Sequence, residues 1–389
     1  MAKQNKPSLG TTIRQNSSGV LAALMCIVIG LVIGLIALFI FNPEHALVDG
    51  FWRILQGGFY DFPYGCGKVL TQTAPLIMTG LSVAFAFKTG LFNIGAAGQY
   101  TLGAFGALNY AIVLGMPWWV CLLVSAVFGA VWGAIPGIFK AYLNINEVIT
   151  SIMFNWIGLY LVNEIIYGRG SGVMYDAHNT RTWKLATNAP QAQIPSCGMS
   201  ELFHTSNTTI AIFLAIIVAI VVWVVLEKTT FGYELKAVGL NKNAARYAGI
   251  NEKKNVILSM TIAGALAGFG AGLFYLSGGG EWNPLNSTSL PAMGFNGIAT
   301  ALLANSNPIG TIFSSLFISH ISVGGAYLPT KYFPSEIADL ISGIIIYLCA
   351  FSMLFRTLFE KKLIHKKDTA NANAEPAAKA VTKPEKEGK

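Results

Sequence analysis

The chain has 389 residues, of which 53% are hydrophobic and only 11% charged, with a mean hydropathy of +0.55. Soluble domains carry roughly 25% charged residues, so this composition excludes a single soluble domain. The net charge of +8 does not point to nucleic acid, because the basic residues lie in short segments between apolar runs.

Apolar runs about 20 residues long recur from Val20 to Arg356, each matching the roughly 30 Å hydrocarbon layer that a helix must cross. The first, 20–41, follows a short tail (1–18) carrying Lys3, Lys6 and Arg14. It is longer than the 7 to 15 residue apolar core of a signal peptide and no A-x-A site follows, so a retained anchor is expected. Further spans are expected at 71–87, 91–114, 117–137, 148–167, 209–226, 256–276, 290–304, 309–326 and 335–355. The fold class is therefore an all-α polytopic membrane protein with about ten spans in a domain covering 19–356. Ten spans divide as five plus five, and an odd number per half permits an inverted pseudo-repeat.

Ten spans also put both termini in the cytoplasm, and the Lys/Arg distribution agrees. Cytoplasmic segments hold 20 of the 26 basic residues, leaving Arg53, Lys68, Arg169, Arg181, Lys184 and Lys331 outside. Dropping one span would move either the loop 228–255 or the C-terminal tail to the wrong face. The third and eighth spans are weakly apolar, which leaves a re-entrant path open for both. The outer segment 168–208 is rich in Gly, Thr, Asn and Pro and is where a partner on that face would land. The tail 357–389 lacks apolar periodicity and is expected to be disordered. Cys66 and Cys197 both fall on the outer face, where a disulfide could persist; a bridge and two unpaired thiols both remain open.

The chemistry inventory is mostly exclusion. Carboxylates and lysines kept inside helices mark ion-coupled carriers. Here Glu147, Glu164, Glu336 and Asp339 sit near expected helix ends, and His320 alone lies well inside a span, either on a pathway or as a hydrogen-bonded packing histidine. No G-x-x-x-x-G-K-[ST] loop, H-E-x-x-H helix or G-x-S-x-G elbow occurs, so no catalytic residue, metal or cofactor is expected. Gly129, Gly133 and Gly137, like Gly264, Gly268 and Gly272, recur at four-residue spacing, which suits close helix packing in lipid.

Three stretches are more specific than hydropathy. They are KTGLFNIGAAGQYTLGAFGA (88–107) followed by NINEVITSIMFNWIGLYLVNEII (144–166), then FGYELKAVGLNKNAARYAGINEKKNVILSMTIAGALAGFGAG (231–272), then GFNGIATALLANSNPIGTIFSSLF (294–317). In this order they resemble the inner-membrane permeases of bacterial ABC importers for simple sugars, branched-chain amino acids and, closest, nucleosides. The likeness covers about 71–355 and leaves out both tails. Two departures remove a carboxylate: Ala97 stands where the family often has Glu, and Asn296 where it often has Asp.

The resemblance implies a multi-pass protein of the bacterial cytoplasmic membrane that catalyses nothing itself. Its partners would be an ABC ATPase subunit, a second and related permease subunit, and an extracytoplasmic solute-binding lipoprotein, with lipid around it and no nucleic acid. The loop 228–255 would couple to the ATPase through Gly239, Ala244, Ala245, Arg246 and Gly249, the run NAARYAG giving a compact helix with a glycine stop. A neutral solute bearing rings and hydroxyls needs donors, acceptors and flat apolar faces without fixed charge. Asn93, Gln99, Asn146, Asn155 and Asn296 supply the first, with Phe92, Phe154, Trp156 and Phe295 adjacent. Each polar residue could equally serve as an interhelical hydrogen bond. Rival readings are a sugar permease of the same type, a facilitator or ion-coupled carrier acting alone, and a regulatory membrane subunit that senses without transport.

Overall fold

The computed structural model describes residues 9–169, 173–283 and 289–334, with scattered positions between 337 and 348. The chain runs through α1 (Leu9–Phe41), α2 (Arg53–Gln56), α3 (Tyr64–Lys88), α4 (Ala96–Ile112), α5 (Trp118–Leu143) and α6 (Glu147–Asn163). A hairpin of β1 (Tyr175–Asp176) and β2 (Arg181–Thr182) follows, then α7 (Leu185–Asn188), α8 (Met199–Phe203) and α9 (Ala211–Lys228). The last described helices are α10 (Thr230–Leu240), α11 (Lys242–Tyr247), α12 (Glu252–Leu276), α13 (Ala292–Leu303) and α14 (Pro308–Ala326).

Among the described residues, six helices are long and apolar enough to cross a membrane: α3, α5, α6 with its continuation to Gly168, α9, α12 and α14. Met25–Phe41 of α1 and the whole of α13 are shorter apolar helices. The chain is thus a polytopic helical membrane protein. The expected span 335–355 and the tail 357–389 lie largely outside the described residues. α1 starts at Leu9, well before its apolar run, since extending an existing helix costs far less than starting one.

Helix starts follow local chemistry. Asn146, Asn241, Asn251 and Asn307 each accept a backbone N–H at the first turn of α6, α11, α12 and α14, at 2.8, 3.1, 3.0 and 2.9 Å, and Pro308 opens α14.

α3 and α12 form the centre. Of the apolar stretches they are the most enclosed, while α5, α6 and α9 keep one broad apolar face outward. The two glycine series meet each other there. A side chain at Gly133 would stand 2.9 Å from the Gly264 Cα, and one at Gly268 would stand 2.9 Å from the Gly129 Cα. Gly103 of α4 abuts Gly268 as well, and the Ser125 hydroxyl lies within reach of both the Gly103 and Gly268 carbonyls. Lipid gives helices no hydrophobic drive to associate, so backbone approach of this kind holds the bundle.

The ends of the helices sort into two groups. At one end the turn after α3 meets α10, and Lys253 stands 5.0 Å over the Tyr142 ring. At the other, a cap built from 164–169 and 173–210 is fastened to the end of α12. Ile194 N–H donates to the Leu276 carbonyl at 3.0 Å, the Thr209 and Ser277 hydroxyls pair at 2.7 Å, and Thr182 exchanges two 3.0 Å bonds with Trp282. Trp282 also donates its indole N–H to Asn163 at 2.8 Å. Within the hairpin, the Asn179 amide donating to Asp176 at 2.6 Å holds that carboxyl below its usual range.

The segment Ala46–Phe59, which the sequence did not announce, folds as a π-helical turn, α2 and a 3-10 turn laid across α14. His320 fixes it. Its Nε2 lies 3.0 Å from the Leu55 carbonyl and its Nδ1 accepts from Gly58 N–H at 3.4 Å, so the neutral ring with Nε2 protonated satisfies both bonds. This is the packing alternative for His320. Cys66 and Cys197 are both free, which settles their pairing as two unlinked thiols.

Four of the basic residues expected on the capped side have local partners, two of them carboxylates and two of them tyrosine rings. Arg53 pairs with Asp49 at 2.9 Å beneath Tyr60, Lys68 stands 4.5 Å over Tyr64, Arg181 pairs with Glu281 at 3.2 Å, and Lys331 stands 5.3 Å over Tyr332.

Candidate functional site

Two places merit a functional reading: an interruption deep between α3 and α4, and the helical hairpin α10–α11.

α4 and α13 are short, at 17 and 12 residues with no helical continuation like that of α6, and the residues immediately before each are irregular. Both are shorter than the ~20 residues that cross a bilayer. They touch near their N-terminal ends: a side chain at Gly294 would overlap Ala97. Short or broken helices in corresponding positions of two halves are the places where transporters build pathways.

The stretch 89–95 that leads into α4 makes no helix, yet every residue in it except Gly90 is buried or half-buried, so its polar groups need partners. Asn93 is fully buried and donates to Ser82 at 3.0 Å and to Gln99 at 2.8 Å, while Gln99 donates back to the Asn93 carbonyl at 3.1 Å. Asn155, on α6, accepts from Gly98 N–H at 2.8 Å and donates to the Ile94 carbonyl at 3.0 Å. These two bonds splice the first turn of α4 to α6. The structure therefore brings Asn93, Gln99 and Asn155 together, with their hydrogen-bonding groups directed at one another. Ser151 lies beside Gly95 with a buried hydroxyl that has no protein partner.

The remaining expected pathway residues are placed differently. Asn146 is exposed and spent as the α6 cap. Phe92 is half-buried and stacks on Phe87 at 5.1 Å; Phe154 is half-buried and meets Trp132 edge-on at 5.4 Å. Trp156 stacks on Tyr160 within an outward α6 stripe that includes Ile149, Ile152, Met153 and Ile157. Phe295 is 40% exposed on α13, with Asn296 half-buried beside it.

Replacing Asn93 with Leu removes both halves of its pairing with Gln99 and leaves buried polar atoms unmet, at a cost of about 1–3 kcal/mol. The melting temperature in detergent should drop, while the solute concentration for half-maximal uptake stays within twofold of wild type. A large shift in that concentration with unchanged melting would put Asn93 in contact with solute.

The hairpin α10–α11 occupies the uncapped end. α11 closes in a Schellman motif: Ile250 N–H reaches the Ala245 carbonyl and Gly249 N–H the Arg246 carbonyl, both at 3.0 Å, with Gly249 at φ +81°. The glycine stop read from NAARYAG is thus present. Of the residues expected to couple, Ala244, Arg246 and Gly249 are exposed, Gly239 is half-buried, and Ala245 is only 3% exposed. Ala245 faces inward, packed with Val238, Val256 and Met260. The sequence reading missed Leu240 and Tyr247, the last residues of α10 and α11, which are 88% and 94% exposed. No periodicity marks them; two large apolar side chains in a polar loop were the only available signal.

A family model described as branched-chain amino acid transport system / permease component matches residues 66–350. The chain is 34% identical over 349 residues to the guanosine ABC transporter permease protein NupP of Bacillus subtilis (strain 168), covering 88% of this chain and 97% of that one. It is 36% identical over 352 residues to the nucleoside ABC transporter permease protein NupB of Lactococcus lactis subsp. cremoris, covering 88% and 93%. It is 30% identical over 300 residues to the glucose ABC transporter permease protein TsgB13 of Haloferax volcanii, covering 75% and 78%. No solved structure matches. The interrupted α3–α4 junction, the helices from α4 to α14 and the hairpin beyond α9 all fall inside the matched stretch, and the chain belongs to the branched-chain amino acid transport system / permease component family.

Proposed function

We propose that this chain is the membrane-spanning permease subunit of an ATP-driven importer and that its cargo is a nucleoside. The supporting observation is the match to two nucleoside-type permeases along 88% of the chain, which takes in both the α3–α4 junction and the α10–α11 hairpin. In this reading the chain crosses the bacterial cytoplasmic membrane about ten times, the third and eighth passes being the short α4 and α13. The end carrying α10–α11 faces the cytoplasm and an ATPase subunit, and the capped end faces a solute-binding lipoprotein. A second, related permease subunit completes the pathway.

We assign the solute-facing roles to Phe295, Asn296, Trp156, Phe154 and Phe92, which offer ring faces and one amide with no fixed charge. Asn93, Gln99 and Asn155 stand behind them as the frame that holds the α4 terminus, and Asn146 holds the start of α6. Contact with the ATPase falls to Ala244, Arg246 and Gly249, with Leu240 and Tyr247 as apolar anchors. Glu227 and Lys236, paired at 3.0 Å, brace α10 against the end of α9. The near absence of buried carboxylates and lysines within the described spans speaks against ion coupling.

Labelled uridine, guanosine, ribose and glucose, offered to cells expressing this chain with its ATPase, partner permease and binding protein, separate the readings. Nucleoside uptake that stops when the ATPase phosphate-loop lysine is replaced is the expected result. Uptake of glucose instead keeps the machine and changes the cargo, the outcome favoured by the likeness to the Haloferax volcanii protein. Uptake that survives the dead ATPase overturns the proposal in favour of a lone carrier.

A further inference from the structure

We propose that the turn 89–95 is the lever through which α10–α11 moves the N-terminal end of α4 and the middle of α6, with the contact between Gly239 and Gly90 as its fulcrum. This rests on the reading of α10–α11 as the ATPase-facing element.

The last turn of α10 lies directly on the backbone of the turn that ends α3. A side chain at Gly239 would stand 2.5 Å from the Lys88 carbonyl oxygen and 2.8 Å from the Thr89 carbonyl carbon. Gly90, at φ +70°, meets Gly239 from the other side, its own added Cβ falling 3.0 Å from the Gly239 carbonyl oxygen. All of these are backbone atoms, which cannot rotate aside as a side chain would. Around this contact Ala86, Leu91, Val238, Ala245, Val256 and Met260 form one buried cluster, so α3, the turn, α10, α11 and α12 share a single small core.

From the fulcrum the turn runs inward without slack. Thr89, fully buried, pairs with the Ser259 hydroxyl at 2.7 Å. Four residues on, Asn93 is locked to Ser82 and Gln99, and Ile94 and Gly98 are bonded to Asn155 on α6. Packed interiors transmit displacement because they offer discrete arrangements and few voids. A shift of α10 therefore reaches α4 and α6 along the backbone of the turn and through the side-chain hydrogen bonds of Asn93, Gln99 and Asn155. Gly239 and Gly90 act here as positioning residues; neither touches solute.

The test uses the assembled importer with Cys66 and Cys197 replaced by Ser and a reporter thiol at Met153→Cys, a 60% exposed position on α6 two residues from Asn155. In the complex that is otherwise wild type, trapping the ATPase with vanadate should change the maleimide labelling rate of the reporter at least threefold. Gly239→Ala should abolish that change and cut uptake at least tenfold, while the ATPase subunit is still captured and still hydrolyses ATP. Thr89→Val adds no volume and keeps the test alive if Gly239→Ala fails to fold; it should at least halve the vanadate effect. A labelling change of wild-type size in Gly239→Ala or in Thr89→Val overturns the lever, as does a wild-type complex that takes up solute with no labelling change. Failure of ATP-driven uptake in the wild-type complex would instead bring down the importer reading itself.

Discussion

Leucine at Gly264 should leave almost no folded protein in the membrane. Gly264 lies against the backbone of α5, where an added side chain would overlap the Gly129 carbonyl and stand 2.9 Å from the Gly133 Cα. Alanine is already too large, and leucine would force α12 away from α5 along their shared glycine face. That face continues to Gly268, pressed between Gly129 and Gly103, so a local separation also takes the Gly268 carbonyl away from the Ser125 hydroxyl. Overpacking costs about 1–3 kcal/mol where neighbours can yield, and backbone on both sides cannot. Against a total stability of about 5–15 kcal/mol, a loss at the upper end spread over three contacting helices removes most of the margin. Size-exclusion of detergent extracts should show the monodisperse peak falling at least tenfold. Val127→Leu, on the 58% exposed outer face of α5, should leave it unchanged. A normal peak for Gly264→Leu would mean that α5 and α12 do not meet at these glycines.

The glycines show where sequence reading succeeds and stops. Their four-residue spacing was visible in both helices, because periodicity is local. That the two series face each other, with Gly103 as a third party, depends on how helices far apart in the chain are arranged, and no local rule carries that. The caps Asn241, Asn251 and Asn307 and the stop at Gly249 follow from a handful of adjacent residues and are legible in the same way. Asn93, Gln99 and Asn155 are the instructive middle case. Their chemistry inside apolar runs announced a hydrogen-bonding task, and the sequence left two tasks open. Bond lengths of 2.8 to 3.1 Å tie Asn93 to Gln99, and Asn155 to the start of α4, as the framing task requires. Ala46–Phe59 escaped because its three short turns are too brief for any period to register. The direction of Ala245 escaped because a six-residue helix gives no second turn by which to judge its inner face.

Removing the two apolar anchors beside α11 should disconnect the permease from its motor without disturbing its fold. Leu240 and Tyr247 expose 88% and 94% of their surface, and both lie outside the helices long enough to be shielded by lipid. An isolated exposed leucine is ordinary; a leucine and a tyrosine held at fixed spacing on a capped hairpin form a built surface. Rigidity is supplied from beneath: the Asn241 side chain caps the start of α11, the Schellman closure fixes its end, and Ala245 roots it in the core shared with Val238 and Met260. Binding energy at protein interfaces concentrates in few such residues, tyrosine prominent among them, and losing one costs 2 kcal/mol or more. Tyr247→Ala should therefore weaken capture of the ATPase subunit by about 30-fold, since each 1.4 kcal/mol is tenfold. The double variant Leu240→Ser, Tyr247→Ala should abolish ATP-driven uptake with the amount of protein in the membrane unchanged. Ala245→Leu provides the contrast, because it overfills the root of the helix and should lower thermal stability together with capture. Full uptake by the double variant would move the ATPase contact off this hairpin, and loss of membrane protein in Tyr247→Ala would make its ring a part of the fold, which a side chain 94% exposed has no contacts to be.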